Sequence, residues 1–242
     1  MNWRFAAHCV VPLLVASLLV LVFPDAAAGQ MLGTRPHAIL QVGFNVARTT
    51  AVRGHREAEG RSRPGFRGGA GLHLQKWTAT SFLILLSYDQ RRVRYQEHGD
   101  WYDPAVGHPV TGEWDHDVSI TYVSAALHVQ CFPLPTLPVF VGGGPEVGLP
   151  SSGTDKLTWR SMEVARIFDS DIAADVGSPD FALVAEAGVR LAVGPLFCTP
   201  TVSYTIGLTE VGGDDGRSGN LQTGLGNAKY RMLGLSLGIR GR

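Results

Sequence analysis

The sequence predicts an all-β protein, an eight-stranded antiparallel up-and-down β-barrel that spans a membrane. From residue 37 onward, eight segments alternate apolar and polar residues, which is the period of a strand between two different environments. Four long polar connections alternate with three short turns. Barrels of outer membranes show this order, because their short turns face the periplasm and their long loops face outside. An apolar N-terminal segment also predicts export.

The first residues have the pattern of a signal peptide. Arg4 precedes a mostly apolar run over residues 10–23, and the small residues Ala26, Ala27 and Ala28 follow it. We therefore expect residues 1–28 to be a cleaved signal peptide, residues 29–36 a short linker, and residues 37–242 the barrel domain. The alternative is an uncleaved anchor, although a run of 14 residues is short for a spanning helix.

Composition limits the classes of function. The chain has 242 residues, 17% of them charged, and its formal net charge is zero. This balance argues against a nucleic-acid-binding protein, which usually carries a basic excess. The length fits one all-β domain.

The first four predicted strands form two hairpins. In the first strand Leu40 and Val42 fall on one face and Gln41 on the other. The second strand is rich in glycine on its polar face, and the middle of the third is apolar on both faces. The fourth is expected to turn Val123 and Val129 outward, with the opposite register left open. These strands are predicted at residues 37–48, 64–75, 80–97 and 116–131.

The last four predicted strands follow a turn that contains proline. In the fifth, Pro145 among glycines suggests a β-bulge, because proline cannot donate to the strand ladder. The longest connection, residues 151–178, is expected to hold a short helix or a hairpin around residues 156–168. The remaining strands alternate regularly. They are predicted at residues 138–150, 179–192, 196–208 and 228–240.

The apolar faces are assigned to lipid and the polar faces to a filled interior. Eight strands enclose a space just wide enough for side chains to fill it. Charges in that space must be paired, because an unpaired buried charge is costly. The predicted lumenal ion-pair network consists of Arg67, Glu146, Glu186, Arg190 and Arg240. In the alternative, a soluble periplasmic barrel that binds a small hydrophobic ligand, the same charges would face water.

A cluster of arginines is expected at the outer rim. Arg91, Arg92 and Arg94 follow the apolar part of the third strand, at the height of lipopolysaccharide phosphates. The same side of the rim is expected to carry five arginines in or beside the first long connection, which are Arg48, Arg53, Arg56, Arg61 and Arg63. Arginine suits bidentate contacts with phosphate, so Arg91, Arg92 and Arg94 are candidates for lipopolysaccharide contact. The alternative is that they pair with acidic residues of the second long connection. Those residues are Glu97, Asp100, Asp103, Glu113, Asp115 and Asp117.

Five runs resemble the outer-membrane β-barrel domain family that includes PorT-like proteins, which are eight-stranded barrels of the OmpA-like type. The runs are VGFN at 42–45, VFVGGGPEVG at 139–148, FALVAEAGVR at 181–190, VSYTIGL at 202–208 and LGLSLGI at 233–239. The resemblance covers roughly residues 37–240. It implies an eight-stranded outer-membrane barrel with no common enzymatic activity.

No residue set with catalytic or cofactor-binding spacing is found, so no catalytic, cofactor or metal residues are assigned. Ser124 and His128 share a strand face, but four residues at ~3.3 Å each put their Cα atoms roughly 13 Å apart. The acidic glycine-rich run at 212–216 lacks the ligand spacing of an EF-hand loop. Cys131 and Cys198 fall on non-neighbouring strands, so two unpaired thiols are favoured over a disulfide.

The sequence therefore predicts a non-enzymatic outer-membrane barrel, structural or interacting through its long extracellular loops. The expected partners are outer-membrane lipid, lipopolysaccharide and the barrel-assembly machinery during insertion, with no nucleic acid. The alternatives are a lipid-modifying barrel enzyme and the soluble ligand-binding barrel. A small conducting pore is less favoured, because eight strands leave no open channel.

Overall fold

The computed structural model describes residues 36–53, 56–59, 61–77, 79–103, 107–134, 137–161, 165–172, 179–209 and 229–241. The predicted signal peptide and the glycine-rich acidic run at 212–216 lie outside these residues. Among the described residues, no helix has the length and apolar character needed to cross a membrane.

Eleven β-strands make up the described fold. The strands are β1 (His37–Arg53), β2 (Arg56–Glu59), β3 (Arg61–Trp77), β4 (Thr80–Asp103), β5 (His108–Cys131), β6 (Val139–Arg160), β7 (Ala165–Asp171), β8 (Asp180–Val189), β9 (Leu191–Val193), β10 (Leu196–Gly207) and β11 (Lys229–Gly241).

The sheet closes into a ring of eight antiparallel strands. Its order is β11, β1, β3, β4, β5, β6, β8 and β10, and β10 pairs again with β11. The last strand, β11, closes the ring by pairing with β1, from Ile39 opposite Arg240 to Thr50 opposite Lys229. The short β2, β7 and β9 extend this ring, pairing with β1, β6 and β10 respectively. The predicted eight-stranded antiparallel barrel is confirmed.

The two faces of the wall separate as predicted. The strand that the sequence predicted as the fourth is β5. It turns Leu127 and Val129 outward and buries His128 and Gln130, which settles the register left open by the sequence. The outer surface carries a continuous apolar belt. Its exposed members include Leu40, Val42, Phe44, Val46, Phe66, Leu86, Tyr88, Leu127, Val129, Val139, Val141, Phe181, Leu183, Val202, Tyr204, Ile206, Leu233, Leu235, Leu237 and Ile239. Apolar outside and polar inside is the arrangement of a membrane-spanning barrel.

Three of the long polar connections contain strand structure, and only for the connection after β6 did the sequence offer a hairpin as one of two alternatives. The β4–β5 hairpin stays paired as far as Asp103 opposite His108. The connection after β6 holds a hairpin with β7, in which Lys156 lies opposite Asp169, and not a helix. Above the membrane both faces of a strand can be polar, so these extensions lack the alternation that identifies a strand.

A register shift in β6 lies at Ser151 and not at Pro145. Thr121 lies opposite Ser152 and the next residue, Tyr122, lies opposite Pro150, so Ser151 is the extra residue of a β-bulge. Pairing with β8 runs through Pro145 without a shift. Because a one-residue slip exchanges the two faces of a strand, even-numbered residues face inward below the bulge and odd-numbered residues above it.

Candidate functional site

The centre of the lumen is an ionic cluster around Arg91 of β4. Its guanidinium donates from Nε to Asp89 at 2.8 Å and from Nη1 to Asp180 at 2.6 Å. A third carboxylate, that of Glu146, lies 3.6 Å from Nη2. Arg91 is 5% exposed. One guanidinium, with its fixed fork of donors, therefore joins carboxylates from β4, β6 and β8.

Two tyrosines enclose the same guanidinium. Its central carbon lies 4.1 Å from the ring centroid of Tyr122 and 4.1 Å from that of Tyr230. These are cation–π contacts, which are stronger when the cation is desolvated. The Tyr230 hydroxyl also donates to Asp180 at 2.5 Å. The Arg91 guanidinium is thus held by its contacts with carboxylates and by two aromatic rings.

Arg67 on β3 extends the cluster across the lumen. It donates to Glu146 at 2.6 Å and to the Ser87 hydroxyl at 3.3 Å. This ion pair joins two members of the lumenal network that the sequence suggested. Asn45 on β1 adds a hydrogen bond to Asp89 at 2.5 Å. Two arginines and three carboxylates, with formal net charge minus one, tie together four of the eight wall strands, and Asn45 adds a fifth.

A second layer lies closer to the end of the barrel with the short turns. Glu186 of β8 accepts hydrogen bonds from Gln130 at 2.8 Å and from the His128 ring nitrogen Nδ1 at 3.1 Å. Below Arg67 and beside this layer is a cavity of about 20 Å³, room for roughly one water molecule. Its polar lining comprises Gln41, Asn45, Arg67, His128, Glu186, Ser203 and Ser236.

Arg190 and Arg240 lie in a third layer, next to the short turns. Arg190 contacts His73 at 2.9 Å and stacks on Phe132 at 4.3 Å. Arg240 stacks on Phe197 at 4.6 Å. Arg190 is four residues beyond Glu186, and four residues span about 13 Å along a strand. Both arginines contact aromatic rings, and their part in a lumenal ion-pair network stays a prediction.

The prediction that Arg91 lies at the outer rim is wrong. Residues 81 to 93 of β4 alternate regularly, and their odd-numbered side chains, from Ser81 to Val93, are buried inside the barrel. Arg91 has this parity, whereas Arg92 and Arg94 point outward. The signal that could have found the site was available, because Asp89 shares the lumenal face with Arg91 and needs a cation. Asp180, Tyr122 and Tyr230 carry no comparable sequence signal.

Arg92 and Arg94 lie at the outer rim, as expected, and both face carboxylates of β5. Arg94 forms a bidentate pair with Asp115, with Nε donating to Oδ1 at 2.6 Å and Nη2 to Oδ2. Asp117 lies 2.8 Å from Arg63 and 3.9 Å from Arg92. In the structure these arginines pair with acidic residues assigned to the second long connection. This arrangement is the alternative to lipopolysaccharide contact.

The Arg94–Asp115 pair sets the titration of the rim. The hydrogen bonds and the charge of Arg94 hold the pKa of Asp115 below its ordinary value. A carboxyl whose pKa is lowered on folding contributes stability above its unfolded pKa, and this contribution is lost as pH falls through the folded pKa. We expect Arg94→Gln to raise the Asp115 pKa toward the ordinary value of an aspartate. Carboxyl chemical shifts of the protein in micelles, followed from pH 6 down to pH 2, will measure it. Arg48→Gln is the control, and an unchanged Asp115 pKa in Arg94→Gln would contradict the pairing.

The mouth of the barrel at the end with the long connections is packed with aromatic side chains. Trp114 of β5 stacks on Trp159 of β6 with ring centroids 4.5 Å apart, and Phe168 of β7 lies 6.3 Å from Trp114. Beneath them His116 meets Asp155 at 2.9 Å. Asp155 and Trp159 face inward because of the bulge at Ser151. The lumen is therefore covered from outside by the β6–β7 hairpin as well as filled by the ionic cluster.

Ser124 and His128, the two residues considered for lipid chemistry, form no hydrogen bond with each other. Ser124 is fully buried, and its neighbour on the same face, His128, is engaged with Glu186. Cys131 and Cys198 are free thiols, as favoured by the sequence. Within the described parts of the chain, no group of three or more His, Cys, Asp or Glu side chains could hold a metal ion.

Comparisons with known proteins give likenesses in structure only. No protein-family model matches the chain, and no curated protein matches it. Neisserial surface protein A aligns at 15% identity and a TM-score of 0.35, over 84% of this chain and 96% of the other. Ail of Yersinia pestis, an attachment invasion locus protein, aligns at 14% and 0.41, over 85% and 99%. The outer membrane protease OmpT of Escherichia coli aligns at 7% and 0.43, over 88% and 99%.

Identities and TM-scores this low imply nothing about the activity of this chain. Because no family model matches, the resemblance to PorT-like proteins stays a prediction. The eight-stranded ring itself rests on the strand pairings of this molecule.

Proposed function

We propose that this protein is a non-enzymatic outer-membrane barrel that presents its strand extensions to the outside while its lumen stays closed. The proposal rests on one observation: an apolar belt surrounds a ring of strands whose interior is filled by ion-paired side chains. A surface with this many exposed aliphatic side chains is a liability in water and is favourable in lipid.

The closed lumen argues for a structural or interacting role over a conducting one. Arg67, Arg91 and Glu146 span the interior at one level, and Glu186 with His128 spans it at the next. The cavity beside these layers is about 20 Å³. A solute path would have to separate desolvated ion pairs, which is costly in an interior of low dielectric.

The extracellular extensions supply the surface that would interact. The paired strands of the β4–β5 hairpin continue for fifteen residues beyond Tyr88, the last belt residue of β4, to Asp103. At ~3.3 Å per residue they extend well past a hydrocarbon core. Their outward faces carry Arg92, Arg94, Asp115 and Asp117, a mixed charged surface suited to polar partners.

Fractionation and conductance measurements test the proposal together. We expect the protein in the outer-membrane fraction, with faster gel mobility unheated than boiled, and no discrete conductance steps in planar bilayers. A protein found in the water-soluble periplasmic fraction would contradict the membrane location. Reproducible channel steps from folded protein would contradict the closed lumen.

A further inference from the structure

We propose that Arg48 and Arg231 form a binding site for a phosphate group of lipopolysaccharide, on the outer surface just above the apolar belt. The inference rests on the proposed membrane location. The sequence grouped Arg48 with the arginines of β4, whereas the structure pairs it with Arg231 at the seam where the first and last strands of the barrel meet.

The two arginines are direct neighbours across the β1–β11 pairing. Arg48 lies opposite Arg231, and both side chains are exposed on the outer face. Residues directly opposite in an antiparallel pair have Cβ atoms about 4.5–5.5 Å apart, and like charges at that distance are destabilising. Such a pair calls for an anion between the two guanidinium groups.

The same barrel contains a second pair of opposing arginines, and that pair contacts a carboxylate of the protein itself. Arg63 of β3 lies opposite Arg92 of β4, and the Asp117 carboxylate contacts both, at 2.8 Å and 3.9 Å. No described side chain plays the part of Asp117 for Arg48 and Arg231. The comparison points to an anion from outside the chain at the β1–β11 seam.

The height of the pair identifies the anion. The outward neighbours one step toward the periplasm are Val46 and Leu233, which lie opposite each other and are 42% and 56% exposed. Two residues along a strand span roughly 6–7 Å, so the guanidinium groups lie just above the last lipid-facing apolar pair. In the outer leaflet this is the level of the lipid headgroup phosphates.

Guanidinium chemistry and local charge favour a phosphate over a carboxylate. Two adjacent guanidinium planes can both donate in fork geometry to one tetrahedral phosphate. Lys229, two residues before Arg231 on the same strand, is a third exposed cation on this face. Aliphatic side chains beside the site, Ile206 of β10 and Leu208 just after that strand, would lie against acyl chains of the same lipid.

The test compares three folded variants for retention of lipid A by native mass spectrometry from detergent. In Arg48→Gln/Arg231→Gln, apparent affinity for bisphosphorylated lipid A should fall about tenfold, the loss expected for a charge-assisted contact. Arg48→Lys/Arg231→Lys should lie between this variant and the wild type. Arg92→Gln/Arg94→Gln removes the same charge from the rim but should retain wild-type affinity.

Three further arms identify the ligand and guard against loss of fold. Dephosphorylated lipid A should bind wild type and Arg48→Gln/Arg231→Gln equally. Inorganic phosphate and phosphatidylglycerol should compete weakly, and if either competes as well as lipid A, the assignment to lipopolysaccharide is wrong. Heat-modifiable mobility must be the same for all variants. If the wild type inserts and the glutamine pair binds lipid A as tightly, the site is overturned while the membrane location stands.

Discussion

Replacing Arg91 with leucine is expected to cost about 3–5 kcal/mol of folding free energy, the range for breaking a buried ion pair by removing one partner. Arg91 is the group on which Asp89, Asp180 and Glu146 converge. Without it, three carboxylates remain inside the barrel with Arg67 as the one arginine in the cluster. Urea unfolding of the protein in lipid vesicles, followed by tryptophan fluorescence, will measure the loss.

The neighbouring residue gives a matched control. Arg92→Leu changes the same side chain one position along β4, but Arg92 faces outward and is 38% exposed, with its nearest carboxylate oxygen 3.9 Å away. We expect it to cost less than about 1 kcal/mol, as exposed ion pairs do. Arg91→Lys should recover part of the loss, since lysine keeps the charge but not the fork of donors. Equal effects of Arg91→Leu and Arg92→Leu would refute the central role of Arg91.

Replacing Gly143 with valine is expected to prevent closure of the barrel. Gly143 has a φ of +154°, and a Cβ built on it would lie 2.1 Å from the carbonyl oxygen of Val184 on β8. The contact is with backbone, so no side chain can rotate away from it. Misfit of this kind costs more than the roughly 1–3 kcal/mol of an overpacked core, because strand pairing on one side of β6 must separate.

The control for this prediction is the residue opposite. Ala185 of β8 pairs with Gly143 and is exposed on the outer face, so Ala185→Val adds the same side chain where there is room. We expect Ala185→Val to show wild-type heat-modifiable mobility and Gly143→Val to run as unfolded protein heated or unheated. Folded Gly143→Val would show that the close approach of β6 and β8 is not required.

The sequence was sufficient to predict the strands of the barrel wall and their two faces, but it was insufficient to predict which side chains meet inside the lumen. Alternation assigned Leu40, Phe44 and Leu235 to lipid and Asn45 to the interior, because one face of each strand is uniform in the membrane. It missed the strand extensions, where lipid no longer selects one face. Ser151 could not be recognised as a bulge, since one extra polar residue leaves no mark in a polar segment.

The contacts across the lumen were the least predictable part. Arg67 and Glu146 lie on strands separated by two others in the ring, so neither sequence distance nor strand order indicates that they meet. Arg91 was misplaced because three arginines within four residues were treated as one rim cluster. Applying the two-residue period to that cluster separates Arg91 from Arg92 and Arg94.

The central claim, that apolar side chains face lipid and polar side chains face a filled lumen, is tested most directly along β11. Single cysteines placed at residues 232 to 239, in a chain whose native cysteines are replaced by serine, can carry an environment-sensitive fluorophore in vesicles of brominated lipid. We expect strong quenching at Leu233, Leu235, Leu237 and Ile239, and weak quenching at the alternate positions. Quenching with the opposite phase, or with no period of two, would contradict the assignment of the faces.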